Sequence, residues 1–564
     1  MPVKQQKRRR AVPEAAPAPV SRPWIDLTFV ERHSLRIVLA FLFIATVRIV
    51  ATYNVFSSVF DEPAHVACGM EWLDKGVYRW EPQHPPLARV AGALGPYLLG
   101  IRSQGTPNVD YASMFNEGVA ILYHDHHYDR NLAAARAGIL PFFWIACLVV
   151  YWWGRRYFNG AVAVAAVFLF TFLEPVLAHA GLATTDMALT AFLGAAFLAG
   201  VIWIERPSMA AGAILGAAAG LTVASKFSAL PYFPAAAALA LAFYWYSARP
   251  SVGAAFDRVR RLIPSAAVAV VTASLLVWAC YRFSFGPAGF WGLKLPAPEL
   301  YQGVRDVMVH NAAGHPGYLL GHRSLTGYWY YYFVVLAFKT PLPYLALAGA
   351  GIVMLLRRRL PFRAAWLPLA YALGVLAVAL FSHINIGVRH ILPIYTGLSL
   401  LAGAALVRLL EMSARRQWAK YAAAAAVLWF AGASLLSHPD YLPYFNELAG
   451  SHPENILVDS DLDWGQDYKR LAVRLRELGA KQLNWVAFAP AKFDELGFPP
   501  VGPMGLGYPP PGWSATGFTM WKERRLGLND EYPNAVLWPD IYMPTEKVGK
   551  SIYLWYFPPA PPRR

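Results

Sequence analysis

Asp61-Glu62-Pro63-Ala64-His65 places two adjacent carboxylates and an imidazole directly behind the first long apolar run, residues 35–56. Acids at the depth where a chain leaves a membrane are costly to keep, so their default reading is functional. Two solvated loop charges capping the next helix would look the same, and the pair alone does not decide. A carboxylate placed there can take a proton from a hydroxyl as that hydroxyl attacks. The complementary parts are cations that hold a departing phosphate, whose charge grows in the transition state. Arg389, Lys226 and Lys339 each stand near the end of an apolar run on the same expected side, and His390 follows Arg389 directly. Asp61 fits the role of base and Glu62 is its nearest competitor. His65, His84 and Asp186 are candidates for positioning the substrate or acceptor.

Each assignment has a plainer counterpart. Lys339 reads equally as a side chain snorkelling to the interface. Arg389-His390 also suits an interface anchor, although the functional reading is favoured. Asp186 follows Thr184-Thr185 and equally caps a helix. Glu81 and His84 together suit a divalent metal, while His84-Pro85-Pro86 equally makes a rigid turn. His124-Asp125-His126-His127 has metal-ligand residue types without a fold-specific spacing, so a solvated loop is favoured. No Walker motif and no GxGxxG after a strand is present, so a nucleotide donor is not indicated. A transferred group would then arrive on a lipid.

The elements that must position these groups are membrane helices. Of 564 residues 57% are hydrophobic and 15% charged, where a soluble chain carries about a quarter charged. The apolar residues fall in repeated runs of membrane length, with about eleven spans expected. Arg155/Arg156, Arg206, Arg258/Arg260/Arg261, Arg357–Arg359 and Arg415/Arg416 alternate onto one side with the basic N-terminus. The positive-inside rule makes that side cytoplasmic. The formal net charge of +16 is thus a matter of topology rather than of nucleic-acid binding. Cys68, Cys147 and Cys280 are no disulfide framework.

The expected domains are a disordered basic tail over 1–34, a transmembrane domain over 35–437 with outer loops at 57–135 and 282–328, and an outer C-terminal domain over 438–564. In the last, 456–458 reads as a buried strand, 467–479 as a helix and 483–488 as a second strand, a βαβ-like unit.

A set of motifs then becomes familiar by its order and placement. It comprises Asp61-Glu62-Pro63-Ala64-His65, Gln83-His84-Pro85-Pro86-Leu87-Ala88-Arg89, His179-Ala180 with Thr184-Thr185-Asp186-Met187, and Ser225-Lys226-Phe227-Ser228. It continues with Gly314-His315-Pro316, Lys339-Thr340-Pro341-Leu342-Pro343, Gly387-Val388-Arg389-His390-Ile391-Leu392-Pro393, and Asp459-Ser460-Asp461-Leu462-Asp463-Trp464-Gly465-Gln466-Asp467. The chain resembles the bacterial membrane glycosyltransferases of the GT-C superfamily, in the group of the protein O-mannosyltransferases and the lipid A aminoarabinose transferase. The resemblance implies an all-α polytopic fold whose first outer loop opens on the catalytic acid, which maps onto Asp61. It also implies a polyprenyl- or dolichyl-phosphate sugar donor and inversion at the anomeric carbon. Relatives often carry Glu directly before the His/Lys-Pro-Pro. Here that residue is Gln83, with Glu81 two positions earlier, and the metal or acceptor role of this acid is in doubt.

The resulting expectation is an all-α polytopic membrane protein with a small α/β C-terminal domain, in a bacterial inner membrane, N-terminus cytoplasmic and C-terminus periplasmic. It would move a sugar from a polyprenyl-phosphate donor to a lipid, glycan or protein acceptor, among membrane lipids and without nucleic acid. A divalent metal is possible but no cofactor is required. The rival is a transporter or lipid flippase, which should show charges within spans and internal symmetry. A scaffold with relic residues is a third reading.

Overall fold

The computed structural model describes residues 25–107, 111–289, 292–360, 364–505, 507–528 and 535–559. Most of the expected basic tail lies outside these residues. Its described end is ordered rather than disordered: Leu27–Arg32 is helical, and Asp26 caps it by accepting from the Thr28 N–H at 2.9 Å.

Among the described residues, six helices are long and apolar enough to cross a membrane, or up to eight if two bent pairs each count as one span. The six are Tyr128–Tyr157, Asp186–Glu205, Ala229–Ala248, Val252–Cys280, Ile394–Ser413 and Gln417–Leu436. The bent pairs are Gly160–Thr171 with Glu174–Ala180, turning by 66°, and Tyr331–Lys339 with Leu342–Leu356, turning by 118°. Each break holds a proline at the first turn of the second helix, Pro175 and Pro343, where a missing N–H costs nothing to that helix but interrupts the one before. Ser34–Val50, Met209–Ser225 and Leu367–Ala379 are shorter, at 17, 17 and 13 residues. The first expected run, 35–56, therefore ends its helix at Val50 and continues as turns.

Small residues set one close crossing. Gly212, Gly216 and Gly220 lie one turn apart on Met209–Ser225, each against the backbone of Val252–Cys280 at Ser265, Ala269 and Ala273. A methyl at any of them would meet that backbone, so the small-xxx-small stripe is what lets the two helices touch. The outer sides of the bundle stay apolar and exposed, at Val270, Val271, Leu275, Leu428 and Leu436 among others, as lipid contact requires. At one end of the bundle Arg156 pairs with Glu205 at 2.8 Å and Arg155 with Glu31 at 3.3 Å.

The other end carries the loops and the C-terminal domain. Two short hairpins, β1–β2 (Phe285–Pro287 with Lys294–Pro296) and β3–β4 (Gly317–Leu319 with His322–Ser324), decorate the second loop. The domain holds helix Tyr468–Glu477 and a five-stranded sheet of β5 (Leu483–Val486), β6 (Val501–Gly502), β7 (Gly512–Gly517), β8 (Glu546–Val548) and β9 (Ile552–Phe557), ordered β6-β5-β7-β9-β8. Leu471, Leu475, Leu483, Ile552 and Leu554 form its core.

The expected helix and second strand are present, but the expected strand at 456–458 is not. Those residues are buried without a strand partner. The Leu457 N–H goes back to Pro453 O, and Ile456 O accepts from Leu320 N at 2.9 Å. The apolar run there marks burial between the domain and the loops rather than sheet pairing.

One buried ion pair frames the mouth of the bundle. Arg136 donates to both oxygens of Glu62, at 2.9 and 2.8 Å, and also to Tyr53 O, Phe56 O and Ser57 O. Both side chains are almost wholly enclosed. Removing one partner would leave the other charge buried and unpaired. Arg136→Met is expected to cost about 3–5 kcal/mol of stability, read from denaturant unfolding of the detergent-purified chain; a loss below about 1 kcal/mol would contradict the framing role.

Candidate active site

Asp61 opens helix Asp61–Met70, where the positive end of the helix favours an acid. It accepts from Arg389 Nη1 at 2.6 Å, and its side chain keeps 22% exposure while Arg389 keeps 7%. Arg389 sits on the short turn Val388–Ile391, after Gly387 at φ 121°. Any side chain at position 387 would be strained and would run into Ser460. The Arg389 guanidinium carbon lies 4.3 Å from the centre of the Trp464 ring. Its Nε is buried and has no hydrogen-bond partner.

Beside this pair stands a second one. Lys226 Nζ, at the end of Met209–Ser225, donates to Asp186 Oδ1 at 2.6 Å. Asp186 Oδ2, Thr184 Oγ1 and both ring nitrogens of His179 are buried without partners. The His179 ring stands 6.3 Å from that of Trp464, which also carries the Arg389 guanidinium. Buried polar groups are almost always bonded. This concentration of open donors and acceptors around Arg389 and Lys226 is therefore what a polar ligand, with its waters, would satisfy.

Glu62 is not equivalent to its neighbour. Besides Arg136, it accepts from Val59 N and Ala183 N at 2.9 Å each and is fully buried. No lone pair is left to face a substrate, which corrects its candidacy as the base. Lys339 is likewise spent on the protein: its ammonium donates to Leu442 O at 2.8 Å and to Asp461 O, with the Phe445 ring 4.3 Å away. It is neither a snorkelling side chain nor a free phosphate ligand. His390 donates no contact to Lys226 or Asp61. Its carbonyl accepts from Tyr232 and its Nδ1 lies 3.4 Å from the Tyr332 hydroxyl.

The remaining candidates gather on Arg89, a hub that the sequence motif contained without a role. Arg89 Nε donates to His65 Nδ1 at 2.9 Å, Nη1 to Tyr78 and Glu81 O, and Nη2 pairs with Glu81 Oε2. Glu81 Oε2 also meets His84 Nδ1 at 3.1 Å. Burial pushes the Glu81 carboxyl up, yet Arg89 and His84 outweigh it and hold the group at about 2. Burial, with Arg89 adding, pushes the His65 imidazole well below its ordinary value.

Glu81 and His84 thus do come together, with the Arg89 guanidinium on the same carboxylate oxygen, while Glu81 Oε1 is buried without a hydrogen-bond partner. Among the described residues no group of three or more His, Cys, Asp or Glu side chains stands together as a metal site. Gln83, standing where relatives often have Glu, meets His310 Nδ1 at 3.0 Å, and His310 in turn meets His315 at 3.1 Å. This links the segments 57–135 and 282–328. No signal in the sequence pairs positions 83 and 310.

Residues 130–256 match the model of a family described as dolichyl-phosphate-mannose-protein mannosyltransferase. Among solved structures, ArnT from Cupriavidus metallidurans bound to undecaprenyl phosphate is similar at 14% identity, with a TM-score of 0.49 over 92% of this chain and 97% of that one. AglB, the archaeal oligosaccharyltransferase from Archaeoglobus fulgidus in complex with an inhibitory peptide and a dolichol-phosphate, is similar at 16% identity, TM-score 0.44, over 78% of this chain and 58% of that one. No curated protein matches the sequence.

The Arg89 hub has a pH signature. A carboxyl held below its ordinary 4.5 contributes stability that is full above that value and is lost as pH falls toward about 2. Wild-type protein is expected to lose stability across that window, and Glu81→Gln to flatten the loss. Unfolding midpoints measured from pH 2 to 5 in detergent check this, and an unchanged slope in the variant contradicts it.

Proposed function

We propose that this chain is a PMT-like membrane glycosyltransferase of the GT-C kind, moving a sugar from a polyprenyl-phosphate carrier to a hydroxyl acceptor. The acceptor is a lipid, a glycan or a protein, and the site faces the periplasm of a bacterial inner membrane. The family match over 130–256 supports this reading, and that segment contributes Asp186 and Lys226. One observation carries it: a single guanidinium, Arg389, holds the candidate base through Nη1 and keeps a buried, unengaged Nε.

In this reading the donor phosphate docks against Arg389 Nε and Lys226, at the mouth of the bundle where a prenyl chain can lie among lipids. The acceptor hydroxyl attacks the anomeric carbon from the side opposite the phosphate. A new C–O bond forms as the bond to the phosphate oxygen breaks. The acceptor proton passes to Asp61, whose partly exposed carboxylate can be reached from outside. The charge left on the polyprenyl phosphate falls on Arg389 and Lys226, in surroundings of low dielectric where fixed cations are most effective. Attack from the far side inverts the configuration. His65 and His84, held by the Arg89 hub, line the approach without entering the bond changes.

Arg389 orients the Asp61 carboxylate through its Nη1. An incoming phosphate then competes for the guanidinium and loosens that hold as the acceptor arrives.

Purified chain supplied with polyprenyl-phosphate-linked sugars is expected to release polyprenyl phosphate with an acceptor present. Asp61→Asn should lower kcat by about 10²–10⁴-fold, and Arg389→Gln by about 10²–10³-fold. Glu62→Gln should act on stability rather than on chemistry. An Asp61→Asn protein that transfers sugar at near wild-type rate would sink the base assignment. Movement of an intact lipid-linked sugar across vesicles with no cleavage would favour the transporter reading.

A further inference from the structure

The motif Asp459-Ser460-Asp461-Leu462-Asp463-Trp464-Gly465-Gln466-Asp467 belongs to the C-terminal domain, yet Ser460, Asp461, Trp464 and Gln466 O reach the segments that carry Asp61 and Arg389. We propose that this segment is a positioning device of the transfer site: Trp464 and Asp461 set the distance and orientation between Asp61 and Arg389. The inference rests on the reading of these two residues as base and phosphate ligand.

Trp464 holds both members of the ion pair with different parts of itself. Its indole face lies under the Arg389 guanidinium at 4.3 Å. Its carbonyl accepts from the N–H of Phe60, the residue before Asp61, at 2.9 Å. Two residues on, Gln466 O accepts from Ser57 N at 3.0 Å. Val59 and Leu182 pack against Trp464, which is only 1% exposed.

The chemistry of the support matters. A carboxylate under Arg389 would neutralise the charge that the leaving phosphate needs. An aromatic face fixes the plane of the guanidinium by cation–π attraction and leaves the charge and the N–H groups available. Among the described residues the only carboxylate in hydrogen-bond contact with Arg389 is Asp61.

Asp461 holds the other side. Its Oδ1 accepts from Val388 N at 2.9 Å, fixing the turn that carries Arg389. Its backbone carbonyl accepts from Lys339, and the Ser460 hydroxyl donates to Ile386 O. Lys339, at the sharp break between two apolar helices, therefore ties the bundle to this segment.

The alternate acids face the domain instead. Asp463 Oδ2 accepts from Thr519 N at 2.9 Å, and Asp467 Oδ2 from Lys550 N at 3.0 Å and Ser551 Oγ at 2.8 Å. Thr519 follows β7, and Lys550 and Ser551 join β8 to β9, so the segment is braced by the rigid part of the sheet. The division of labour along the motif explains its density of acids without a metal.

The test compares Trp464→Leu with Trp464→Phe in the full-length chain, by two readouts. Transfer from a polyprenyl-phosphate sugar should show kcat lowered about tenfold in the leucine variant with KM changed by less than about twofold, and the phenylalanine variant should recover most of that loss. Hydrogen exchange, followed by mass spectrometry, should rise in the leucine variant at residues 57–62 and 386–391 and stay at wild-type level in β7 and β9. The exchange readout needs no activity. If no donor is ever cleaved by the wild type, the functional reading fails while the positioning role is still decided.

Unchanged exchange at both segments, or equal losses in the leucine and phenylalanine variants, would overturn the proposal. Should Trp464→Leu also lose the protection of β7 and β9, Asp461→Ser decides by the same measurement. It removes the acceptors of Val388 N–H and Tyr331 O–H together with one buried carboxylate and leaves the indole in place, and a variant whose 386–391 segment exchanges as in wild type counts against the proposal.

Discussion

The guanidinium of Arg136 is the fixed point of this architecture. From one buried position it gathers Tyr53, Phe56, Ser57 and Glu62, the stretch between the end of the first apolar helix and the start of Asp61–Met70. A short chain segment leaving a membrane has carbonyls that neither helix nor sheet satisfies, and leaving them unpaired is expensive. One arginine satisfies three of them and neutralises Glu62 as well. The neighbouring Asp61 is thereby presented at a defined place, free to meet Arg389 from a turn 328 positions further along the chain.

Two charged networks then divide the work. Arg136 and Arg89 are buried and fully engaged, and each organises a loop. Arg389 and Lys226 are nearly as buried but only partly engaged, each holding one acid. Arg389 Nε and Asp186 Oδ2 remain open. Since a buried polar group without a partner costs roughly 1–3 kcal/mol, such open valences persist where a ligand or water returns the cost. Among these four cations, the contrast between fully and partly engaged groups sets the two hubs apart from the candidate site.

Much of this was legible in the chain, and the limits have physical causes. Apolar runs gave the helices because lipid imposes length and composition. The Asp61, Lys226, Asp186 and Arg389 motifs could be picked out because each ends an apolar run. Glu62 could not be told from Asp61, because what separates them is Arg136 and the Ala183 N–H, 74 and 121 positions away. Lys339 looked available for the same reason, its carbonyl partners being contributed by Leu442 and Asp461. Residues 456–458 carried the apolar signature of a strand, but burial between two units produces that signature as well. Trp464 stood in a quoted motif without a role, since no local pattern says that an indole lies beneath a distant guanidinium.

The order in which the chain is synthesised gives the position of Trp464 a further meaning. Asp61 emerges first, Lys226 and Arg389 follow with the middle helices, and the segment proposed to align them comes after the helix Gln417–Leu436. Its own anchor, Ser551, comes later still. Domains form broadly in the order of synthesis, so on the proposed role of Trp464 the helical bundle inserts before its candidate site is aligned. Competence is thereby tied to completion: a nascent chain stalled in the bundle would hold the lipid-facing surface and the charges of the site, but not their geometry.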